Sequence, residues 1–325
     1  MAANRSGLMT DVPATAPTPA SASAPAPSTT TAADVVSFAE RFRRGWSRYW
    51  FDPVPVERVD VFARIIAVTV LITVFLTDQW NTIHEHAPRD FYRPVLLARV
   101  LHLGAPTSTT MTVLQIVLAV GAVWMFTRRA PRAAAATVFV SYVVWLLWAF
   151  SWSKVDHDRL TIVVALLVLA LTPRVGAAVE QLSGWALRVV QVVFVLAYPF
   201  SAWAKIRFGG WGWMSSATFA RAIVRRGSSL GDALLSHPGL LVAGQWAFIA
   251  FEVVTVVLLF PRAPRWLRIA ALIGVFLLHL MTFLMIGISF LPHTICLAAF
   301  LPLERLSRRW RSERRAVDPL VPAAV

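Results

Sequence analysis

The apolar positions of this chain come in long unbroken runs separated by short polar breaks, not in the one-sided period of a water-facing helix or strand. Runs that approach or reach the length needed to cross about 30 Å of hydrocarbon fall at roughly 59–77, 109–127, 134–152, 158–173, 187–205, 240–260, 267–286 and 288–303, the fourth and eighth being short. The pattern predicts an all-α fold, a polytopic transmembrane helical bundle of about eight spans. No internal repeat of the kind many transporters carry is visible, which weakens a transport reading.

Two segments precede the first run. Residues 1–33 are rich in Ala, Pro, Ser and Thr and too poor in large apolar side chains to offset the entropy of ordering, so a disordered tail is expected. This tail lacks the apolar core of a secretory signal, and insertion through an internal, uncleaved span is expected. Residues 34–52 place Val35, Phe38, Phe42, Trp46 and Tyr49 on one helix face opposite Arg41, Arg44 and Arg48, with Ser37 and Glu40 as a capping box. A helix lying on the membrane surface is predicted, ended by Asp52 and Pro53. The transmembrane domain then occupies 53–304 and a basic tail 305–325.

Composition agrees with the bilayer as solvent: 57% of residues are hydrophobic and 15% charged, with a mean hydropathy of +0.63. The net charge of +14 sits in short clusters between apolar runs rather than along one stripe, so no nucleic-acid partner is expected. Counting Lys and Arg by loop gives a direction. Arg41, Arg43, Arg44 and Arg48 precede the first span; Arg128, Arg129 and Arg132 fill the second loop; Arg174 and Arg188 flank the fourth. Arg262, Arg265 and Arg268 fill the sixth, and Arg305, Arg308, Arg309, Arg311, Arg314 and Arg315 follow the last span. Every second loop is basic, which puts both termini in the cytoplasm of a multi-pass cell-membrane protein whose partner is the lipid bilayer. The outer 206–239 loop carries Arg207, Arg221, Arg225 and Arg226, an exception its length permits.

Two outer segments hold candidate chemistry. In YPFSAWAKIRFGGWGW, Tyr198, Ser201 and Lys205 share one helix face near its outer end. Two roles are open for Lys205: a desolvated amine acting as a base, or an anchor that snorkels to the headgroups. In SWSKVDHDRLTI, His157 lies among Lys154, Asp156, Asp158 and Arg159, and a His beside carboxylates can exchange a proton near neutral pH; a solvated turn is the alternative. Arg64, Glu252 and His279 lie within spans and should face the bundle interior, Arg64 and Glu252 as a buried ion pair or as helix-to-helix glue. His84 and His86 lack a third ligand and Cys296 is the only cysteine, so no metal site is expected. Walker A, HExxH and GxGxxG are all missing from the sequence.

With these residues in view, the chain resembles the HTTM family, the horizontally transferred transmembrane domain similar to the membrane part of vitamin K-dependent gamma-carboxylase. The likeness spans roughly residues 40–303 and rests on the order of FDPVPVERVDVFARI, DHDRLTI, YPFSAWAKIRFGGW and HLMTFLMIGISFLPHTICLAAFLPL. It implies that Lys205 takes the place of the lysine that deprotonates a membrane hydroquinone, and His157 that of an assisting histidine. His279 and Gly287 fit the family's late His and Gly pattern. Two departures stand beside it. A basic tail follows the bundle where the carboxylase has a long extracytoplasmic region for its protein substrate, and Ile206 and Arg207 follow the lysine in place of the family's second basic or Leu residue.

Two functions are therefore expected. One is a quinol-dependent carboxylase- or oxygenase-like enzyme with an outward-facing lysine base. The other is a non-enzymatic accessory for maturation or export of a secreted peptide, as SdpB-like proteins of the same family look to be. A phosphatase joined after residue 157 is expected to be active on the outer side and one joined after residue 315 inactive; the opposite pair of results would invert the orientation.

Overall fold

The computed structural model describes residues 38–77, 80–127, 129–152 and 155–307. The expected tail 1–33, the start of the surface helix with Val35 and Ser37, Arg128, Lys154 and the basic tail beyond residue 307 lie outside the described residues. Every regular element among those described is helical: α1 Phe38–Phe51, α2 Val56–Ile72, α3 Trp80–Ile83, α4 Leu96–Val100, α5 Ser108–Trp124, α6 Pro131–Trp152, α7 Leu160–Leu171, α8 Val179–Gly209, α9 Thr218–Arg226, α10 Ser229–Leu234, α11 Pro238–Val254, α12 Arg265–Ile286 and α13 Leu291–Thr294. α2 runs on through a π turn, Thr73–Thr77, α11 through a 3₁₀ turn, Thr255–Leu259, and α13 through another, Ile295–Phe300.

Residues up to Gly45 form one compact unit and those from Trp46 onward a second. In the first, the rings of Phe38 and Phe42 stack at 6.4 Å, both exposed, and Arg44 pairs with Glu40 across a helical turn at 3.9 Å. α1 buries no side chain and stops at Phe51, directly before Asp52 and Pro53.

Element boundaries in the second unit follow local chemistry. Thr107 caps α5 in a reciprocal box with Thr110. Pro238 opens α11, where its missing N–H costs nothing. Gly287 ends α12 at φ +64°, a left-handed position that favours glycine.

Helices cover all eight apolar runs, and five of them are long and apolar enough to cross a membrane: α2 through Thr77, α6, α8, α11 through Leu259, and α12. α5 has 17 residues and α7 only 12, the latter rising about 18 Å at 1.5 Å per residue. One face of α7 packs against protein, with Ile162, Ala165, Leu166, Val168 and Leu169 buried, while Leu160, Leu167 and Leu171 are exposed. α8 is longer than its apolar run at both ends, because Glu180, Gln181 and Arg207 are good helix formers outside it. The breaks at 78–108 and 206–239 contain α3, α4, α9 and α10, too short and polar to stand out by hydropathy.

The core lies where α2 meets α5, α7 and α8 and where α6 packs between α5 and α7. Phe62, Ile66, Tyr142, Trp145, Leu166 and Phe194 are fully enclosed there. α12 is the reverse case. Only Ala271 and Val275 are buried on it, while Ile273, Phe276, Leu277 and Phe283 are about half exposed. That much outward apolar surface is unfavourable in water and is compatible with a membrane protein.

At the start of α8 the backbone of residues 46–55 comes in close. Val54 N donates to the Glu180 carbonyl at 3.0 Å, and Arg188 donates Nε to the Tyr49 carbonyl while lying over its ring. A Cβ on Gly184 would collide with the Asp52 carbonyl, so only glycine fits. Nearby, Arg58 grips Glu304 with two bonds of 2.6 and 2.8 Å, and these bonds hold the Glu304 carboxyl below the usual carboxylate range. Because the folded-state value is lowered, this stabilisation is present above the unfolded carboxyl range and is lost as pH falls through the lowered value.

Gly184→Ala should destabilise the protein by about 1–3 kcal/mol through overpacking. Gly104→Ala, which meets nothing within 4 Å, should leave the melting temperature of the detergent-solubilised protein unchanged; equal melting of the two variants would refute the close approach.

Candidate functional site

α8 sets the spacing of the site by presenting Tyr198, Ser201 and Lys205 along one face. Lys205 Nζ donates to Ser201 Oγ at 2.5 Å and to both carboxylate oxygens of Glu252 on α11, at 2.7 and 3.0 Å. The Glu252 side chain is 4% exposed and that of Lys205 21%, so the carboxylate is sealed and the ammonium lies at the rim. Aromatic rings enclose the amine, Phe248 at 4.9 Å and Trp213 at 5.7 Å from Nζ. Such a pair is obligatory, since removal of one partner leaves an uncompensated charge worth about 3–5 kcal/mol.

Gln245 places Trp213. From α11 its Nε2 reaches the carbonyls of Trp213, Met214 and Ser216 at 3.0, 3.1 and 2.9 Å, and its Oε1 accepts from Phe219 N at 2.7 Å. One buried amide thereby fastens the segment after α8 onto α11.

Two turns back along α8 from Lys205, Tyr198 Oη lies 2.8 Å from His279 Nε2 on α12 and 3.2 Å from His293 Nε2 on α13. His293 Nδ1 is in turn 2.9 Å from Thr161 Oγ1 on α7, and the Phe194 ring stacks on His293 at 4.4 Å and 9°. Four helices are joined by one line of hydrogen bonds. Either direction of donation along it satisfies every bond, because neutral imidazole has one donor and one acceptor. In both directions His279 Nδ1 is buried without a partner among the described residues. Pro199, inside α8 beside Tyr198, removes the N–H that would bond the Val195 carbonyl.

The residues singled out in the sequence divide as follows. Lys205, Ser201 and Glu252 form one cluster, and Tyr198 and His279 belong to the adjoining line. Tyr198 is within electrostatic range of Glu252. His157 is exposed; its ring faces Phe290 at 6.3 Å, and Phe290 lies 5.1 Å from His279, so it borders the line of hydrogen bonds rather than the lysine. The expected Arg64–Glu252 ion pair is corrected: Lys205 occupies both Glu252 oxygens because α11 packs on α8, while Arg64 lines a cavity with Asp60 and Arg174. His84 stacks on Trp152 at 5.4 Å. Among the described residues no group of three His, Cys, Asp or Glu side chains could hold a metal ion. His293, Thr161 and Gln245 were not singled out. A polar side chain inside an apolar run was the available sign for His293, and an isolated Thr or Gln gives none.

Comparison of the chain with family models, with curated proteins and with solved structures yields no match.

Tyr198→Phe strands two buried imidazole nitrogens and should cost about 1–3 kcal/mol. Thermal unfolding in detergent should show the loss, and a melting curve like that of the parent would contradict the bonding described.

Proposed function

We propose that the chain is a multi-pass cell-membrane protein of the HTTM type, with eight membrane-embedded segments and both termini cytoplasmic, in which Lys205 and Glu252 form the proton-accepting pair for a lipid-soluble hydroquinone. The observation that carries this reading is the double hydrogen bond from Lys205 Nζ to a sealed Glu252 carboxylate at 2.7 and 3.0 Å. Base with counter-ion, apolar surroundings and flanking aromatic rings are what abstraction of a proton from a weak acid requires.

The residues around the pair suit such a ligand. Trp213 and Phe248 offer flat aromatic faces beside the amine, and His279 Nδ1 is a buried polar atom lacking a partner among the described residues. A hydroquinone, when bound, supplies an ionisable hydroxyl and two electrons for dioxygen. Lys205 does the rest with its neighbour: passing one proton from Nζ to Glu252 leaves an amine without creating net charge, and Nζ then accepts the proton of the hydroxyl. Ser201 keeps Nζ oriented through its 2.5 Å contact. The His279–Tyr198–His293–Thr161 line can shift its protons in concert, and His157 stands beside it through Phe290.

A second reading is favoured by the same contacts. Ser201 and Glu252 also hold Lys205 as an anchor would be held, which suits an accessory for a secreted peptide or protein. The two readings part at Lys205→Arg. A guanidinium keeps the ion pair and is not deprotonated in proteins.

The test is oxygen uptake by the purified protein with a reduced naphthohydroquinone. Lys205→Ala and Lys205→Arg should both lose at least about a hundredfold in rate, the scale of a general base. Full activity of Lys205→Arg would assign the lysine to anchoring, and no hydroquinone-dependent uptake by the parent protein would refute the enzymatic reading.

A further inference from the structure

A second polar site lies far from Lys205. Between α2, the α5–α6 junction and the segment after α7 is a cavity of about 390 Å³, lined by Glu57, Asp60, Arg64, Arg174 and Val175 together with apolar side chains that include Met125. From Val179, four residues beyond the cavity wall at Val175, to Lys205 is 26 residues of continuous helix, about 39 Å along the axis. The two sites are separate.

Arg64 is the unusual member. It lies eight residues into α2, about 12 Å along the helix, on a segment whose neighbours Phe62, Ala63, Ile66 and Ala67 are buried. The other arginine already has partners: Arg174 pairs with Asp60 at 3.2 Å and donates Nη1 to the Thr172 carbonyl at 2.9 Å. Arg64 has neither hydrogen bond nor ion pair among the described residues. A half-buried guanidinium within an apolar span is expensive and calls for an anion, and the cavity is where one can reach it.

The shape and rim say which anion. The volume falls within the range of small-molecule sites and far exceeds what a water or two would fill. Its wall is part apolar, from Val56, Ala63 and Met125. The wall reaches the surface at Val175, which is exposed, so a ligand that is anionic at one end and apolar at the other meets both kinds of surface. Arg129 and Arg132 are exposed beside Pro131 of the cavity wall, adding a basic approach.

We propose that this cavity binds the phosphate of a phospholipid headgroup, with Arg64 making the two-pronged contact that a guanidinium makes with phosphate, while Arg174 beside it holds Asp60 in an ion pair and so keeps that carboxylate from opposing the anion. Phosphate is the shared chemistry, and a soluble phosphate is the other source it could come from. The site does not depend on hydroquinone chemistry at Lys205, so loss of either leaves the other standing.

Native mass spectrometry of the full chain, delipidated in a neutral maltoside, separates the outcomes. With dioleoylphosphatidylglycerol added, the parent protein should hold one lipid that millimolar inorganic phosphate does not displace. Arg64→Gln should weaken retention at least about tenfold, whereas Arg64→Lys, which keeps the charge and loses only the fork, should weaken it about threefold. Val175→Trp changes an 83% exposed residue at the cavity wall; it should preserve the fold while narrowing access and weakening binding, and so carries the test if Arg64→Gln does not fold. Saturable binding of inorganic phosphate that depends on Arg64 would keep the phosphate site and reassign its source to a soluble ligand. Folded Arg64→Gln and Val175→Trp variants that retain lipid like the parent, or a parent that binds neither ligand, would overturn the proposal.

Discussion

The interaction on which the packing of α8 against α11 depends is the ion pair between Lys205 and Glu252. Each charge would be untenable alone between apolar helices, and together they form a neutral unit that fixes α8 against α11. The neighbouring geometry follows from it. Ser201 takes up a remaining proton of the ammonium, Phe248 and Trp213 flank the amine, and Gln245 ties down the chain that delivers Trp213.

The line from Thr161 through His293 and Tyr198 to His279 solves a related problem with neutral groups. Buried imidazoles and a phenol are tolerated only when hydrogen-bonded, and here each bond also crosses between helices. Specific pairing thus supplements apolar packing where α12 contributes few buried side chains of its own. The same rule separates the two ends of the molecule. Arg58 pairs with Glu304 and Arg174 with Asp60, whereas Arg64, which lines the same cavity as the second pair, has no ion pair among the described residues.

Much of the fold was legible because lipid-length apolar runs leave an unmistakable trace; α2, α6, α8, α11 and α12 all lie on such runs. The trace is weaker at α7, which has only 12 residues and buries half of them. It is missing for α9 and α10, too short to show a pattern. Half of the site was legible for a similar reason. Tyr198, Ser201 and Lys205 lie on one helix, so periodicity alone groups them. Glu252 was visible as a charge out of place, yet its partner was misassigned to Arg64, because opposite charge gives no information about which helices touch. His293 and Gln245 required the packing of α13 on α7 and of α11 on the 211–219 segment, contacts that no local spacing encodes.

The most direct test of the pair is a double-mutant cycle on unfolding of the full chain in detergent. Lys205→Met and Glu252→Met should each lose about 3–5 kcal/mol, because each strands a buried charge. The double variant, with no charge left to strand, should be more stable than either. If the two losses simply add, Lys205 and Glu252 are not coupled and the account of the site is wrong.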